Sequence, residues 1–331
     1  MSVAERRTAS WWTPEGEAVR CGLCPHHCRI AEGKRGICGV RENRGGTLYA
    51  LTYGRVSAVN VDPVEKKPLY HFHPGRPILS IGSIGCNFRC RFCQNWSLVE
   101  GLAPLAPVPI PGLVRQAREC GSVGISYTYN EPMIWFEFVL DCSRAFREAG
   151  MANVLVTNGF VSPGPLEELL PWIDAMNIDL KALDPDFYRT MCSGRLDPVL
   201  ETIRASVPRT HVELTTLLVT GKNDSDEAIR AVVDFVASLD RGIPLHFSRY
   251  FPQYRYDAPP TSPERLAAAY RIGREKLSYV YVGNFHLPGA EDTGCPSCGT
   301  TVVRRSGYRT VVTGLSGTRC ASCAAPLRFV I

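Results

Sequence analysis

The chain has 331 residues, a formal net charge of +5 and 14 cysteines. That length suits one large domain with small appendages, the charge is too mild to argue for nucleic acid by itself, and no run approaches the ~18 apolar residues of a membrane span. Residues 1–7 lead into no apolar stretch of a secretory signal, so a reducing, cytoplasmic setting is expected and the cysteines read as metal ligands or redox thiols.

Eleven cysteines fall into three groups, and the first lies in residues 1–50. There Cys21, Cys24, Cys28 and Cys38 offer four thiolates in a short, glycine-rich span. Too little apolar sequence surrounds them to build a core, so a bound metal is expected to hold this module. Tetrahedral zinc is the simpler reading, and an auxiliary iron–sulfur cluster competes with it. His26 and His27 read as surface residues of the same knuckle. Residues 51–76 read as a linker with one helical turn or as an active-site loop. In the second case Glu65, Lys67, His71 or His73 would meet a substrate.

From 77 to 290, strand-like and helix-like runs alternate. Strands are expected at 78–84, 123–128, 153–157, 173–180, 211–219, 244–249 and 279–282. Helices are expected at 113–120, 132–149, 165–170, 184–192, 197–205, 225–239 and 263–274. Such alternation calls for an α/β fold, with parallel strands joined by right-handed helical crossovers. About seven strands are fewer than a closed eightfold barrel needs. Cys120, Cys142 and Cys192 lie in helix-like segments and read as small buried hydrophobes.

The second cysteine group follows the first of these strands. Cys86, Cys90 and Cys93 make a Cys-x3-Cys-x2-Cys run. Three thiolates on one short loop can hold three irons of a [4Fe–4S] cluster and leave the fourth iron open to a ligand. Gly85 lets the backbone turn just before them. The plain alternative is zinc or no metal. Later strands end in polar groups where the chemistry of parallel barrels sits. Glu131 stands in Asn130-Glu131-Pro132, which also reads as a helix start. Asn158 precedes Gly159. Asp179 and Lys181 alternate with Leu180 and project to one side of their strand.

Residues 291–331 carry the third group, Cys295-x2-Cys298 and Cys320-x2-Cys323, with β-like runs between them. This reads as a zinc ribbon, closed by four thiolates and structural. Its arginines, Arg304, Arg305 and Arg309, read as a solvated face.

The loop at 86–93, with Phe92 just before the third cysteine, resembles the signature of radical S-adenosylmethionine (SAM) enzymes. That resemblance implies a partial (β/α)6 barrel, open on one side. It also implies a [4Fe–4S] cluster on Cys86, Cys90 and Cys93, and SAM bound by its amino and carboxylate groups to the open iron. Phe92 and Gln94 would flank the cluster near the adenine. Glu131, Asn158, Asp179 and Lys181 would position SAM. Many such enzymes carry Gly-Gly-Glu-Pro where this chain has Tyr129-Asn130-Glu131-Pro132. Thr157-Asn158-Gly159-Phe160 and Asp179-Leu180-Lys181 are similar to the glycyl-radical-enzyme activases, of which the pyruvate formate-lyase activating enzyme is the type. Closer still is the resemblance to the radical SAM proteins of the AmmeMemoRadiSam system. It covers nearly the whole chain, through 21–28, 62–72, 86–96, 128–132, 246–250 and the terminal ribbon. It implies association with Memo-type and AMMECR-type proteins. Activases use a histidine near the late strand, which points to His246, with Arg249 as its rival.

The leading expectation is therefore an enzyme that cleaves SAM reductively and abstracts hydrogen from an unidentified substrate. It would draw electrons from a donor such as flavodoxin or ferredoxin. A glycyl-radical activase is one alternative, and an RNA- or peptide-modifying enzyme with a macromolecular substrate is another. A metal-binding scaffold without turnover is the third. The expected divisions are 1–50, 51–76, 77–290 and 291–331.

Overall fold

A computed structural model describes residues 7–331. Its centre is one eight-stranded sheet. In chain order the strands are β1 (Ala58–Pro63), β2 (Pro77–Gly82), β3 (Gly124–Tyr127), β4 (Ala152–Thr157), β5 (Ala175–Asp179), β6 (His211–Leu218), β7 (Leu245–Arg249) and β8 (Val280–Gly283). They lie side by side in that same order, and β1 does not pair with β8, so the sheet is a barrel left open on one side. Strands β2 to β8 are mutually parallel, while β1 runs antiparallel to β2.

The parallel strands are buried along nearly their whole length. This is why their sequences are short, almost continuous apolar runs. Helices cover the outside: α1 (Ile110–Glu119), α2 (Phe136–Glu148), α3 (Pro163–Leu169), α4 (Asp197–Ser206), α5 (Asp226–Leu239) and α6 (Pro263–Lys276). Their starts are written in the sequence. Ser225 accepts a hydrogen bond from the Ala228 amide, and acidic Asp226 and Glu227 follow in the first turn of α5. Ser262 caps α6 ahead of Pro263.

Two findings differ from the sequence expectation. Residues 51–76 hold a real edge strand, β1, as well as the 3-10 turn Val64–Lys66. The prolines and charges that made the segment read as a loop sit at the C-terminal end of that strand and beyond it. The N-terminal module also does not lack a core. It forms two small three-stranded antiparallel sheets. Val19, Leu23, Ile30 and Leu48 from these join the same buried cluster as the barrel. Trp11 meets Phe136 of α2 edge-on, and Arg41 pairs with Glu137 at 2.6 Å with both side chains buried. The module borrows a core it could not build alone.

The C-terminal segment has only a small cluster of its own around Val302, Val303, Leu327 and Phe329, with Cys295 and Cys320 among its members. It is tied to the barrel by Arg305, whose guanidinium lies 4.1 Å from the Tyr70 ring and donates to the carbonyls of Tyr70 and Glu291 and to the Thr293 hydroxyl. No helix of the described residues is long and apolar enough to cross a membrane.

Candidate active site

A cavity of about 580 Å³ opens at the C-terminal ends of the parallel strands. It is built from the loop after β2. Gly82 ends the strand and Gly85 turns the chain at φ +85°. A Cβ on Gly85 would lie 2.5 Å from the carbonyl oxygen of Cys38, so a bare backbone is required there. Asn130 then pins the loop: its Oδ1 accepts from the Ser83 amide at 3.0 Å and its Nδ2 donates to the Gly85 carbonyl at 3.0 Å. Beyond this clamp, Cys86, Cys90 and Cys93 all line the cavity, with Phe92 and Gln94 beside them.

The three thiols do not all lie within 4.8 Å of one another, whereas the four of Cys295, Cys298, Cys320 and Cys323 do. The C-terminal set shows Sγ–Sγ distances of 3.7 Å for Cys295–Cys323 and Cys298–Cys320. A tetrahedral ion with arms of about 2.3 Å needs an edge of about 3.8 Å, so this set fits one metal ion. The Cys86, Cys90 and Cys93 thiols share the cavity without forming such a single-ion set. Their donor type and their place on one short loop suit a multi-iron cluster.

The strand ends supply the polar wall. The Glu131 carboxylate is fully engaged within the protein. Its Oε1 accepts from the Met133 amide at 2.9 Å and the Thr157 hydroxyl at 2.8 Å, and its Oε2 accepts from the Asn158 amide at 2.8 Å. Burial pushes its pKa up, and these hydrogen bonds only partly offset that, leaving it at about 7. Glu131 thus braces two strand ends and presents them to the cavity. Asn158 donates to Asn87 Oδ1 at 2.8 Å and lies 3.7 Å from Cys86 Sγ. Lys181 pairs with Asp179 at 3.0 Å. Burial opposes its charge, but Asp179 and Cys90 outweigh that and hold its pKa well above the usual lysine value.

Tyr129 stands where related sequences were expected to carry glycine, and its backbone adopts φ +72°, the region glycine favours. The side chain that makes this costly is tethered. Its hydroxyl donates to Asp62 at 2.7 Å, Lys67 donates to the same carboxylate at 2.6 Å, and the Lys67 ammonium lies 4.9 Å from the Tyr129 ring.

The sequence candidates therefore divide. Cys86, Cys90, Cys93, Phe92, Gln94, Glu131, Asn158, Asp179, Lys181 and Lys67 line the cavity. Glu65, His71, His73, His246 and Arg249 do not. Glu65 is buried, accepts from the Gly75 amide and lies 3.9 Å from Arg305. His73 hydrogen-bonds through its amide to the Val330 carbonyl. Arg249 donates to the Thr261 carbonyl and lies over Phe251 and Phe285. His246 sits deeper in the barrel, 2.7 Å from Glu213, which also accepts from the amides of Tyr70 and His71 and from His211. Burial would raise the pKa of Glu213, but His211 and His246 outweigh it and hold the carboxylate well below its usual range. Tyr129, Asn130 and Tyr308 also line the cavity, and Asn87 backs it by accepting from Asn158; the sequence reading takes Tyr129 and Asn130 only as replacements for the family's glycines and singles out neither Asn87 nor Tyr308. The Asn130 amide clamp had no signal beyond its place before Glu131. Tyr308 reaches the cavity from the C-terminal segment, a contact no local pattern encodes.

Residues 80–236 match the Radical SAM superfamily. The chain is 42% identical, over 95% of its own length and 96% of the other's, to the uncharacterized protein MJ0808 of Methanocaldococcus jannaschii. It is 27% identical to the pyruvate formate-lyase-activating enzyme of Clostridium pasteurianum over 47% of this chain and 67% of that one. Among solved structures, SuiB of Streptococcus suis bound to its precursor peptide SuiA superimposes with a TM-score of 0.51 at 18% identity. That match covers 67% of this chain and 52% of SuiB.

Proposed function

This chain belongs to the radical SAM superfamily and is an enzyme, and we propose that Cys86, Cys90 and Cys93 hold a [4Fe–4S] cluster whose open iron takes SAM. The carrying observation is that three thiols on one short loop share a cavity with the polar ends of β3, β4 and β5. Held by Cys86, Cys90 and Cys93, such a cluster would supply the one electron for reductive cleavage of SAM at its S–C5′ bond, the chemistry by which hydrogen would be taken from a substrate.

The chain's own residues bind and orient. Backbone groups at 128–130 face the methionyl end, held in shape by the left-handed turn at Tyr129 and by the Glu131 brace. Asn158 offers its amide to a ribose hydroxyl. The Asp179–Lys181 pair provides one anion and one cation for the sulfonium and carboxylate of SAM. Phe92 and Gln94 flank the adenine. Lys67 and Tyr308 stand at the wall left for the substrate. A single zinc ion suits the C-terminal thiols, where it would act structurally. A reductant of the flavodoxin or ferredoxin type would supply the electron.

A second reading, an activase acting on a glycine of a partner protein, draws on the similarity to the pyruvate formate-lyase-activating enzyme. The substrate class, and any association with Memo-type or AMMECR-type proteins, belong to that same open choice.

The test is anaerobic reconstitution with iron and sulfide, addition of SAM and dithionite, and quantitation of 5′-deoxyadenosine by mass spectrometry. Wild type is expected to form it and Cys90→Ala to form none. A chain that binds no iron at Cys86, Cys90 and Cys93 would end the proposal.

A further inference from the structure

The cysteine loop has an outer side as well as the side that faces the cavity. Between its thiols stand Arg89 and Arg91. The Arg89 amide donates to the Cys192 carbonyl at 2.8 Å, and the Arg91 amide to the Met191 carbonyl at 2.9 Å. The Arg91 carbonyl in turn accepts from the Arg255 amide at 2.8 Å. A Cβ on Gly194 would lie 2.2 Å from the Phe88 ring, so the chain leading into Arg195 passes directly against the loop. Three distant segments are thus laced into one surface, and each brings arginine to it.

The charge of these four guanidiniums is poorly neutralised. Arg89 donates to the carbonyls of Cys86, Phe88 and Ile37, and Arg195 to that of Pro25. Carbonyls satisfy the hydrogen bonds but carry no net charge. Among the described residues the only carboxylate paired with any of the four is Glu100, 3.9 Å from Arg255 and exposed. Such a pair contributes little in water. Arg91, Arg195 and Arg255 are exposed, and none of the four lines the cavity.

The surface also carries a preformed aromatic contact. Trp96, close after Cys93, stacks on Tyr254 with ring centroids 5.5 Å apart and planes 8° from parallel. The Arg255 guanidinium lies 4.7 Å from the Tyr254 ring, whose hydroxyl donates to Glu100 at 2.5 Å. Tryptophan, tyrosine and arginine carry most of the binding energy at protein interfaces, and side chains already stacked lose little freedom on docking.

We infer that this face, formed by Arg89, Arg91, Arg195 and Arg255 with the Trp96–Tyr254 stack, docks an acidic electron-donor protein of the flavodoxin class. The inference rests on the reading that Cys86, Cys90 and Cys93 hold a cluster. Position and sign select the occupant. The thiols stand on the reverse of the same loop, and opposite charge steers a partner to it. With a net charge of +5 on 331 residues the face is a local patch, not the basic track of a nucleic-acid-binding chain. One electron passes from the reduced donor to the cluster; no bond forms or breaks and no proton is required.

Isothermal titration of oxidised flavodoxin into the reconstituted holoenzyme reads docking without turnover. R91E/R255E is expected to weaken binding at least about tenfold, and R195E, outside the cysteine loop, at least about threefold. R115E/R118E makes the same change of net charge on α1 and should stay within about twofold of wild type. Freeze-quench electron paramagnetic resonance with reduced flavodoxin should rank the rates of cluster reduction in the same order. Dithionite needs no docking site and should bring every variant to the wild-type amplitude. Equal affinities across the set, or an equal loss in R115E/R118E, would overturn the inference, as would a face that binds single-stranded RNA and not flavodoxin. A wild type without a dithionite-reducible signal fails at the cluster reading instead, and the titration still decides whether this face takes the donor.

Discussion

His71 sits in a segment that reads as an active-site loop, yet its chemistry is spent inside the protein. Its Nδ1 lies 2.7 Å from the Arg328 carbonyl, so it must carry the proton, and its Nε2 lies 2.6 Å from the Tyr281 hydroxyl, so it accepts. That neutral tautomer satisfies both ring nitrogens. Burial is the main reason its pKa falls from 6.5 to about 3, with the Glu213 carboxylate pulling the other way. The sign follows by linkage. The unfolded chain binds a proton below pH 6.5 and the folded chain does not, so acid favours unfolding. Between pH 6.5 and about 3 this one residue is expected to remove about 1.4 kcal/mol of stability per pH unit. Denaturant unfolding at pH 7 and pH 5 checks it, since His71→Gln should lose less stability over that interval than wild type. Equal losses would show that His71 does not titrate on unfolding. Tyr129 teaches the converse. A motif expectation placed glycine there, and the left-handed backbone is kept by a tyrosine whose side chain is tied to Asp62 and Lys67.

At the scale of elements, the strands were legible because a parallel strand buried on both faces can be little else than a short apolar run. The expected strands at 153–157, 211–219 and 244–249 lie within about one residue of β4, β6 and β7. The cysteine loop was legible for a different reason, its fixed spacing. What could not be read was pairing between distant segments. Strand β1 alternates too briefly, and its neighbouring prolines hid it. The packing of the N-terminal sheets on α2 depends on Trp11, Arg41 and Glu137 meeting across more than ninety residues, which no local period records. Gly85 joins these two levels. Its positive φ belongs to the turn, but the space it leaves belongs to Cys38, Val40 and Ile134. Gly85→Ala is expected to cost about 2–4 kcal/mol, from the left-handed backbone and the forced shift of Cys38. Because the shift falls at the residue before Cys86, iron content should drop along with the unfolding midpoint. Iron content equal to wild type would show that the loop yields without disturbing the site of Cys86, Cys90 and Cys93.

At the scale of the whole molecule, the C-terminal segment is either an appendage or part of the barrel's own stability, and its contacts argue for the second. Its private cluster is too small to hold a fold without a metal. Yet it reaches the barrel interior through Arg305, through the Val330 amide bonded to the His71 carbonyl, and through Thr293 on the hydroxyl of Tyr281. The Arg328 carbonyl of this segment fixes the His71 tautomer, Tyr281 donates to the other ring nitrogen, and the His71 amide is bonded to Glu213, which also binds His246. Loss of the metal would release the strands that position Arg305 and leave Tyr70, Glu291 and Glu65 as buried groups without their cation. Removing one partner from such a buried set typically costs about 3–5 kcal/mol. Substitution of Cys298 and Cys320 together by serine is therefore expected to lower the melting transition of the barrel by several degrees. The two should melt as one unit, and Tyr308 should leave the mouth of the cavity. Differential scanning calorimetry with limited proteolysis decides the matter. Cleavage confined to residues beyond 291 with an unchanged barrel transition would mean that the segment folds apart from the barrel. A lowered single transition would mean that the fold of the four-cysteine segment, with the ion proposed for it, helps hold the barrel that carries the candidate site.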